Sequence, residues 1–529
     1  MIAERRVEPG CQAYGFRQDG PVAQPPDKPA RPDLAEVLAL RDAQLDRARP
    51  ESVAKRRKLG RLTARENIER LLDAGSFVEY GRIARPLRRD MEGASDGVVM
   101  GTGSVDGKAA CVMAYDYTVH AGTQSWTNHR KTDRIFHLAA ELRAPLVSWL
   151  EGGGARPHDL TVSAVQSETA TFVAFARLSG VVPTVGIVTG RCFAGNANLA
   201  GACDLLLATP NAAIGMAGPP LVEAALGRKL TPEEIGPVAV HVDSGVVDRL
   251  VADEDEAIAL ARQYLGFFAG RRPPGVAADQ TLLRDVVPES ARRAYDVKKV
   301  IDLLADEGSV LEIRPRFGRA AVTALAFLGG HPVGIVANQP MFLAGAIDSP
   351  ASDKIARFVQ LCDAYDLPVV CLADTPGLMV GPEVEKTGLV RHSARILAAL
   401  ANATVPILTV VLRKAYGLGY YVMGSRPLDP VLLVAWPTAE LGGMGLEGAV
   451  NILHRAALDA AATPEARAEL HAGLTADLRR MNTAVETAGR FEYDDVIDPA
   501  DTRDFLVKTL DRLPPPPPRG RRKRIIDTW

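Results

Sequence analysis

The stretch VPTVGIVTG at residues 182–190 decides the fold, because the related stretch VPILTVVLRK at residues 405–414 repeats it 223 positions later. No insertion or deletion is needed to extend this match into the neighbouring sequence. Self-similarity of this length indicates two copies of one domain rather than a solenoid of short repeats. Two copies offer two similar sites, which can hold two different reactants. The same offset relates Pro183 and Pro406 within these stretches and five further pairs: Gly107 and Gly330, Gly122 and Gly345, Lys131 and Lys354, Pro145 and Pro368, and Gly154 and Gly377.

Helix and strand patterns alternate in the same order in both copies. Such alternation favours parallel or mixed β-sheets that are covered by helices, which is the α/β class. In the first copy the predicted helices are residues 125–142, 163–180 and 197–208, and the predicted strands begin near residues 144 and 182. In the second copy the predicted helices are residues 352–366 and 391–405, and the predicted strands lie in residues 331–340, 367–377 and 405–414.

Local signals predict a helical region and a hairpin before the first alternating segment. Residues 34–72 show a helical pattern, in which Thr63 and Glu66 have the spacing of a capping box. Between residues 96 and 116, the dipeptide DG at residues 106–107 is typical of a two-residue hairpin turn. We therefore expect two antiparallel strands to lead into the sheet.

Composition places boundaries around the two copies. Residues 1–35, rich in proline and charge, are predicted to be disordered. The first domain is predicted at residues 36–285 and the second at residues 286–512, with a linker rich in charge and proline at residues 270–288. Residues 513–529 combine a run of prolines with a basic cluster, and we expect them to form an extended, solvated tail.

Composition also excludes several classes of function. A net charge of −2 argues against a protein that binds nucleic acid. No apolar run is long enough to cross a bilayer, and the N-terminus lacks the pattern of a secretory signal. Six scattered cysteines without CxxC pairing indicate reduced thiols, and the nine histidines form no metal-binding pattern. These features predict a cytoplasmic protein that has no metal site.

Four short glycine-containing segments are the candidate chemical groups. Each copy has a loop after one strand, residues 151–156 and 374–379, and a turn that opens a helix, residues 191–196 and 414–419. A turn of small residues at the start of a helix leaves backbone N–H groups unpaired, and such groups can hold an oxyanion. One N–H group from each segment could meet at a single oxygen, which is the arrangement that stabilises a developing enolate.

Other interpretations of these segments are open but weaker. Glycines at strand ends can act only as turn formers, although four matched positions argue against that. A nucleotide site is disfavoured, because the chain contains no GxxxxGK[ST] motif and neither loop gives a clean GxGxxG. Cys192 and Ser425 have no evident base nearby, and we interpret His392 as a capping or packing residue that opens a helix.

With these residues in view, the chain resembles the carboxyltransferase (β) subunits of biotin-dependent acyl-CoA carboxylases over about residues 50–510. That family consists of two tandem crotonase-like (ClpP/crotonase) domains related by internal duplication. The resemblance rests on several segments taken together: residues 58–66, 96–99, 116–119 and 153–156 in the first half, and residues 338–340, 374–377, 388–392, 413–417 and 435–440 in the second.

The resemblance implies that the first copy binds acyl-CoA and the second binds carboxybiotin, which a separate biotin carboxylase or biotin carboxyl carrier subunit would bring. The active site would lie between copies of facing subunits, in a homo-hexamer or a hetero-oligomer. The implied catalytic N–H donors are Gly153, Gly154, Ala155, Ala194 and Gly195 for the thioester oxygen, and Leu418 and Gly419 for the biotin oxygen. The implied substrate-binding residues are Arg156, Phe193, Tyr420 and Tyr421, and the implied cofactor-binding residues are Gly377, Leu378, Tyr416 and Gly417.

Departures from the family pattern leave the substrate and two alternative functions open. Tyr421 is bulky at a position that shapes the acyl pocket in relatives, which favours a short acyl group or a reshaped pocket. Leu418 and Phe193 motivate a biotin-independent, crotonase-like acyl-CoA decarboxylase or acyltransferase. A third possibility is a non-catalytic scaffold subunit of a carboxylase complex.

Overall fold

The computed structural model describes residues 31–88, 90–157, 169–290, 293–516 and 524–529. The predicted disordered segment lies outside the described residues up to residue 30, but the first helix already begins at Pro32, before the predicted boundary at residue 35. The helices are α1 (Pro32–Asp42), α2 (Pro50–Lys58), α3 (Ala64–Leu71), α4 (Trp126–Leu142), α5 (Thr171–Ala176), α6 (Gly195–Gly201), α7 (Pro219–Leu226), α8 (Pro232–Ile235), α9 (Val238–Asp243), α10 (Glu254–Gly266), α11 (Lys298–Leu304), α12 (Ser349–Ala364), α13 (Pro382–Glu385), α14 (Leu389–Asn402), α15 (Gly417–Tyr421), α16 (Leu446–Leu453), α17 (Arg455–Asp459), α18 (Pro464–Met481), α19 (Ala484–Gly489) and α20 (Thr502–Leu510).

The strands lie in two large sheets and one short pair. They are β1 (Val78–Tyr80), β2 (Val98–Val105), β3 (Lys108–Tyr115), β4 (Leu146–Trp149), β5 (Thr184–Val188), β6 (Arg191–Phe193), β7 (Leu205–Ala208), β8 (Ala213–Gly215), β9 (Arg249–Leu250), β10 (Leu311–Ile313), β11 (Ala321–Leu328), β12 (His331–Asn338), β13 (Val369–Thr375), β14 (Ile407–Tyr416), β15 (Leu432–Ala435), β16 (Glu440–Gly442) and β17 (Asp495–Val496). The α/β class predicted from the sequence is therefore confirmed.

The two large sheets have the same arrangement. The first has the order β1-β2-β3-β4-β5-β7-β9, and the second has the order β10-β11-β12-β13-β14-β15-β17, with β16 paired to β14. In each sheet the first two pairings are antiparallel and the others are parallel. The predicted hairpin is confirmed, because Val105 pairs with Lys108 across the turn. The offset of 223 also holds in the register, where Cys111 pairs with Leu146 and Gly334 with Val369.

Unusual backbone conformations recur at the same offset. Ala121 and Ala344 both lie in the left-handed region, with φ of 53° and 52°. Ala194 and Gly417 do so as well, with φ of 51° and 55°. A residue with a Cβ adopts positive φ at a cost, so Ala194 is held there by its surroundings. The two halves thus share fine features of the backbone as well as the order of elements.

Three predicted helical regions need correction. The pattern at residues 34–72 is three helices, α1 to α3, of which α3 begins with the expected capping box of Thr63 and Glu66. In the predicted helix 197–208, the run LLLA is strand β7, since an apolar run buried on both faces suits the middle of a parallel sheet. Of the predicted helix 163–180, residues up to 168 lie outside the described residues, and the rest contains α5.

The prediction of a solvated tail is wrong for part of residues 524–529, although Ile525 and Trp529 are exposed. Ile526 is only 5% exposed and joins the main apolar core, and its backbone exchanges hydrogen bonds with the Ser179 hydroxyl. The indole N–H of Trp529 donates to Asp353 at 3.1 Å. Residues 517–523 lie outside the described part. The C-terminal residues therefore tie the second copy to the first.

Buried polar contacts join the two sheets across a shared core. The Arg314 guanidinium pairs with Asp248 at 2.8 Å, and the Tyr365 hydroxyl donates to Asp204 at 2.6 Å. Burial lowers the pKa of Arg314 to about 10 and raises the pKa of Asp204. Most residues of the linker at residues 270–288 are exposed, but Leu283 and Val287 are buried. These contacts fix the two copies against each other within one chain.

Candidate active site

The two glycine segments of each copy lie side by side. In the first copy the Gly152 N–H donates to the Arg191 carbonyl at 2.8 Å, and the Phe193 N–H donates to the Gly152 carbonyl at 2.9 Å. In the second copy Thr375 pairs with Ala415, which is the same pairing moved by 223 positions. The structure therefore brings together the predicted loop and turn in both copies.

Close packing between loop and turn requires small residues. A Cβ added to Gly154 would lie 2.6 Å from the Ala194 Cβ. In the second copy, a Cβ added to Gly419 would lie 2.6 Å from the Gly377 Cα. Real Cβ atoms do not approach that closely, so these glycines are needed for the contact. The packing sets how near the N–H groups of the two segments can come.

A second pairing fixes the outer part of each loop. Gln124 pairs with Ala155 in the first copy, and Ile347 pairs with Leu378 in the second, again 223 positions apart. The pairing uses the N–H groups of the residues after Ala155 and Leu378, namely Arg156 and Met379. Because neighbouring N–H groups of an extended segment point to opposite sides, the N–H groups of Ala155 and Leu378 face away from this bridge.

Two of the predicted N–H donors in the first copy are corrected. The Ala194 N–H donates to the Gly215 carbonyl at 2.9 Å, since β6 pairs with β8. The Gly154 N–H donates to Oδ1 of Asn196 at 3.2 Å. Both groups are engaged inside the protein and cannot hold a substrate oxygen. Over the described residues, the N–H groups of Gly153, Ala155 and Gly195 have no such acceptor.

In the second copy, too, some backbone N–H groups are engaged inside the protein and others have no acceptor. The Gly377 N–H donates to the Thr375 hydroxyl at 3.1 Å, so it is engaged like that of Gly154. The N–H groups of Leu378, Leu418 and Gly419 have no acceptor among the residues that the structure describes. Leu378 corresponds to Ala155 and Leu418 to Gly195. The same pair of backbone groups is therefore available in each copy.

A buried carboxylate lies beneath each loop, and the sequence analysis did not single it out. Glu151 accepts from Arg56 at 2.5 Å and from Arg61 at 3.0 Å. Asp374, at the equivalent position, pairs with Arg413 at 3.1 Å and with Lys414 at 3.3 Å. These ion pairs fix the start of each loop. The signal was present in the sequence, since an acidic residue is the first residue of both glycine loops.

Two of the predicted substrate-binding residues are structural instead. Arg156 is 1% exposed, and its guanidinium pairs with Asp96 at 2.6 Å. Phe193 is also buried, and its ring lies close to Gly215. Neither side chain can reach a ligand. The pairing of Arg156 with Asp96 instead anchors the far end of the first glycine loop.

Four predicted residues of the second copy line one cavity of about 560 Å³: Gly417, Leu418, Tyr420 and Tyr421. Tyr421 is 48% exposed and Tyr420 is buried, so Tyr421 is the ring that a ligand would meet. Tyr416 does not line this cavity, and its hydroxyl donates to Glu440 at 2.6 Å. Burial, together with this hydrogen bond, raises the pKa of Tyr416.

Other candidate chemistry is limited in the described part of the chain. No cluster there of three or more histidine, cysteine or acidic residues could hold a metal ion. None of its helices has the length and apolar composition needed to span a membrane. His392 lies in the first turn of α14, as predicted, and its Nδ1 contacts Asp353 at 2.9 Å. The backbone N–H groups therefore remain the main candidate groups.

Comparison with known proteins identifies the family. The carboxyl transferase domain matches residues 55–514. The chain is 36% identical to the methylmalonyl-CoA carboxyltransferase 12S subunit of Propionibacterium freudenreichii subsp. shermanii, over 87% of this chain and 90% of that protein. It is 34% identical to the propionyl-CoA carboxylase beta chain of Saccharopolyspora erythraea, over 93% of this chain and 95% of that protein.

Solved structures agree with this result. A transcarboxylase 12S hexamer with bound methylmalonyl-CoA superposes with a TM-score of 0.82 at 34% identity, covering 92% of this chain and 96% of that one. A single-chain, multi-domain long-chain acyl-CoA carboxylase gives a TM-score of 0.85 at 45% identity, covering 91% of this chain. This chain spans about half (49%) of the length of that protein. The chain belongs to the carboxyl transferase domain family, as its motifs predicted, and is an enzyme of the acyl-CoA carboxylase carboxyltransferase type.

Proposed function

We propose that this chain transfers a carboxyl group from carboxybiotin to the α carbon of a short acyl-CoA. The observation that carries the proposal is the pair of available N–H groups in each copy: those of Ala155 and Gly195 in the first, and those of Leu378 and Leu418 in the second. One pair serves the thioester oxygen and the other serves the biotin oxygen. Two sites of one design suit a reaction that has two reactants.

The first site acts on the thioester. When the α C–H bond breaks, its electron pair moves into the thioester, and the oxygen becomes negative. The proton would pass to the biotin ureido group, whose N–C bond to the carboxyl group would break to supply CO2. The N–H groups of Ala155 and Gly195 would stabilise this enolate, and loss of one such donor typically costs about 2.7–4 kcal/mol of barrier. The α carbon then forms a C–C bond to the carbon of CO2, and the product is a 2-carboxyacyl-CoA.

The second site fits biotin by its donors and its shape. The N–H groups of Leu378 and Leu418 can meet the single oxygen of a ureido ring, and the adjoining cavity of about 560 Å³ has room for that ring. Bound carboxybiotin supplies the carboxyl group. Leu418 and Tyr421 reduce the space beside the site, which favours a short acyl chain.

We propose further that the two halves are crotonase-like domains related by duplication. The shared sheet order, the shared register and the matched residues of positive φ support this origin. By analogy with the 12S hexamer, the chain would assemble as a homo-hexamer. As the family resemblance implies, the first copy of one subunit would face the second copy of another. A biotin carboxylase or biotin carrier subunit would deliver the biotin.

Proline substitutions test the N–H groups directly. Ala155→Pro and Leu378→Pro each delete one donor, and each should lower kcat for transfer of labelled carboxyl from biotin to propionyl-CoA by about 10²–10³-fold. Ala155→Ser and Leu378→Ala keep the N–H group and serve as matched controls. The assay uses the full chain with a biotin carboxylase and its biotinylated carrier. Wild-type turnover in both proline variants would contradict the proposal.

The same assay separates the alternative functions. Conversion of acyl-CoA substrates in the absence of any biotin would indicate a decarboxylase or acyltransferase. Failure to bind any CoA thioester, together with co-purification with an active paralogue, would indicate a scaffold subunit. Gly154→Pro is a poor choice, because Gly154 has a φ of 79° that proline cannot adopt.

A further inference from the structure

Asn196 makes a contact in the first copy that has no counterpart in the second. This residue lies in the first turn of α6 and is fully buried. Its Oδ1 accepts the Gly154 N–H at 3.2 Å, across the gap between the turn and the glycine loop. The two donors assigned to the thioester, Ala155 and Gly195, each lie next to one partner of this hydrogen bond. Asn196 therefore links the two segments that carry them.

The second copy fixes the equivalent N–H group in another way. Gly419 stands at the position of Asn196 and has no side chain to offer. The Gly377 N–H instead donates to the Thr375 hydroxyl at 3.1 Å, within its own loop. Among the described residues, a side chain of the helix that follows the turn makes a hydrogen bond to the glycine loop only in the first copy.

The orientation of the Asn196 amide follows from its surroundings. With Oδ1 toward the Gly154 N–H, Nδ2 is buried and has no partner among the described residues. The opposite orientation would set two donors against each other at Gly154. A buried amide that leaves one donor unpaired is unusual in a packed interior. The Asn196 amide therefore keeps its hydrogen bond to the Gly154 N–H while its own N–H donors stay unpaired.

We infer that Asn196 is a positioning residue for carboxyl transfer, which holds Gly154 so that the N–H groups of Ala155 and Gly195 converge on the thioester oxygen. The inference rests on the proposed function. Without the side chain, the backbone hydrogen bonds of Gly152 still tie the loop to β6, at Arg191 and Phe193, but do not reach α6. The Gly154 peptide then gains freedom, and the N–H group of the next residue loses its fixed direction.

Asn196→Ala tests the inference in the full chain, assayed with its biotin-carrying partner and propionyl-CoA. We expect faster hydrogen exchange at the Gly154 amide, read by mass spectrometry with residue-level fragmentation. We also expect kcat to fall about 10–100-fold, because a displacement of about 1 Å at a reacting centre can cost 10²-fold. The Kd for propionyl-CoA should change less than about threefold, since ground-state contacts are retained. Thr375→Val is the matched control and should leave exchange at Gly154 unchanged.

Asn196→Asp gives an independent test that keeps the size and the acceptor of the side chain. Exchange at Gly154 should stay slow, while a buried carboxylate opposes the charge on the thioester oxygen. Its kcat should therefore rise as pH falls and the carboxyl group is protonated, because burial raises the pKa of a carboxyl group. Exchange at Gly154 as fast as in Asn196→Ala would overturn the inference, because the acceptor for the Gly154 N–H is retained in this variant.

The outcomes separate this inference from the proposed function. Unchanged exchange at Gly154 in Asn196→Ala, or faster exchange with unchanged kcat, overturns the role of Asn196 alone. A wild-type chain that transfers no carboxyl group from biotin overturns both.

Discussion

The glycine loop of the first copy begins at Glu151 and that of the second at Asp374, and their charged partners come from different places. Arg56 and Arg61 reach Glu151 from the segment that precedes the sheet, whereas Arg413 and Lys414 reach Asp374 from the adjacent strand β14. The backbone around both loops nevertheless has the same pairings. The main-chain geometry is thus kept in both copies, while the side chains that hold it differ.

Removal of each carboxylate is the strongest way to sharpen this comparison. Asp374→Asn leaves Arg413 buried without its charge partner, and breaking a buried ion pair costs about 3–5 kcal/mol. Glu151→Gln should cost less, because the Arg56 guanidinium keeps a second carboxylate, that of Glu254, at 3.6 Å. Urea unfolding of both variants measures the difference in the free energy of unfolding. Equal losses would mean that Glu254 does not compensate the charge on Arg56.

A second difference between the copies is the C-terminal segment, residues 524–529. It contacts α12 and α14, and no described residue makes the equivalent contacts on α4. Ile526→Ala should lower the free energy of unfolding by about 2–5 kcal/mol, because a buried apolar side chain is truncated. Ile525→Ala is the control, since Ile525 is 66% exposed and should change stability by less than about 0.5 kcal/mol. Thermal unfolding of both variants makes the comparison. Equal effects would contradict the observed packing.

Features of short range were predictable from the sequence. The capping box at Thr63, the DG turn and the helix over residues 125–142 depend on neighbouring residues, and all three were confirmed. The repeat offset also located the four glycine segments. These predictions succeeded because local propensity and the conformation of the folded chain agree at those positions.

Features that depend on distant partners were not predictable. Ala194 and Gly154 were expected to donate to a ligand, but Gly215 and Asn196 accept their N–H groups. A motif shows that an N–H group lies at a turn and does not show which other element accepts it. The prediction for the C-terminal segment failed for the same reason. Its basic composition predicted exposure to solvent, whereas Ile526 packs against residues that lie hundreds of positions earlier in the chain.

The buried lysines Lys131 and Lys354 provide a test of equivalence between the copies. Each ammonium group donates to the first carbonyl of a sheet strand, that of Val98 or that of Ala321. Burial lowers the pKa of both lysines to about 7, from 10.5. Between pH 7 and 10.5 the unfolded chain binds more protons than the folded chain, so stability rises with pH in that window.

Lys131→Met and Lys354→Met should each remove this dependence on pH. The free energy of unfolding of the wild type should rise more steeply than that of either variant, by up to about 1.4 kcal/mol per pH unit between pH 7 and 10.5. Urea titrations at several pH values give both slopes. A variant that keeps the wild-type slope would show that its lysine is not desolvated in solution.

The last comparison concerns a single position, which is Tyr421 in the second copy and Asn198 in the first. Tyr421 lines the cavity beside Leu418 and is partly exposed, so its ring can limit the length of the acyl chain. Tyr421→Ala should raise kcat/KM for a longer acyl-CoA relative to propionyl-CoA by about tenfold, since one methylene in a pocket is worth about 1–3 kcal/mol. A panel of acyl-CoAs of increasing length measures this ratio, with Asn198→Ala as the matched control. If both variants shift this kcat/KM ratio equally, the acyl chain does not lie against Tyr421. If neither variant shifts the ratio, the residue that limits chain length lies on the facing subunit.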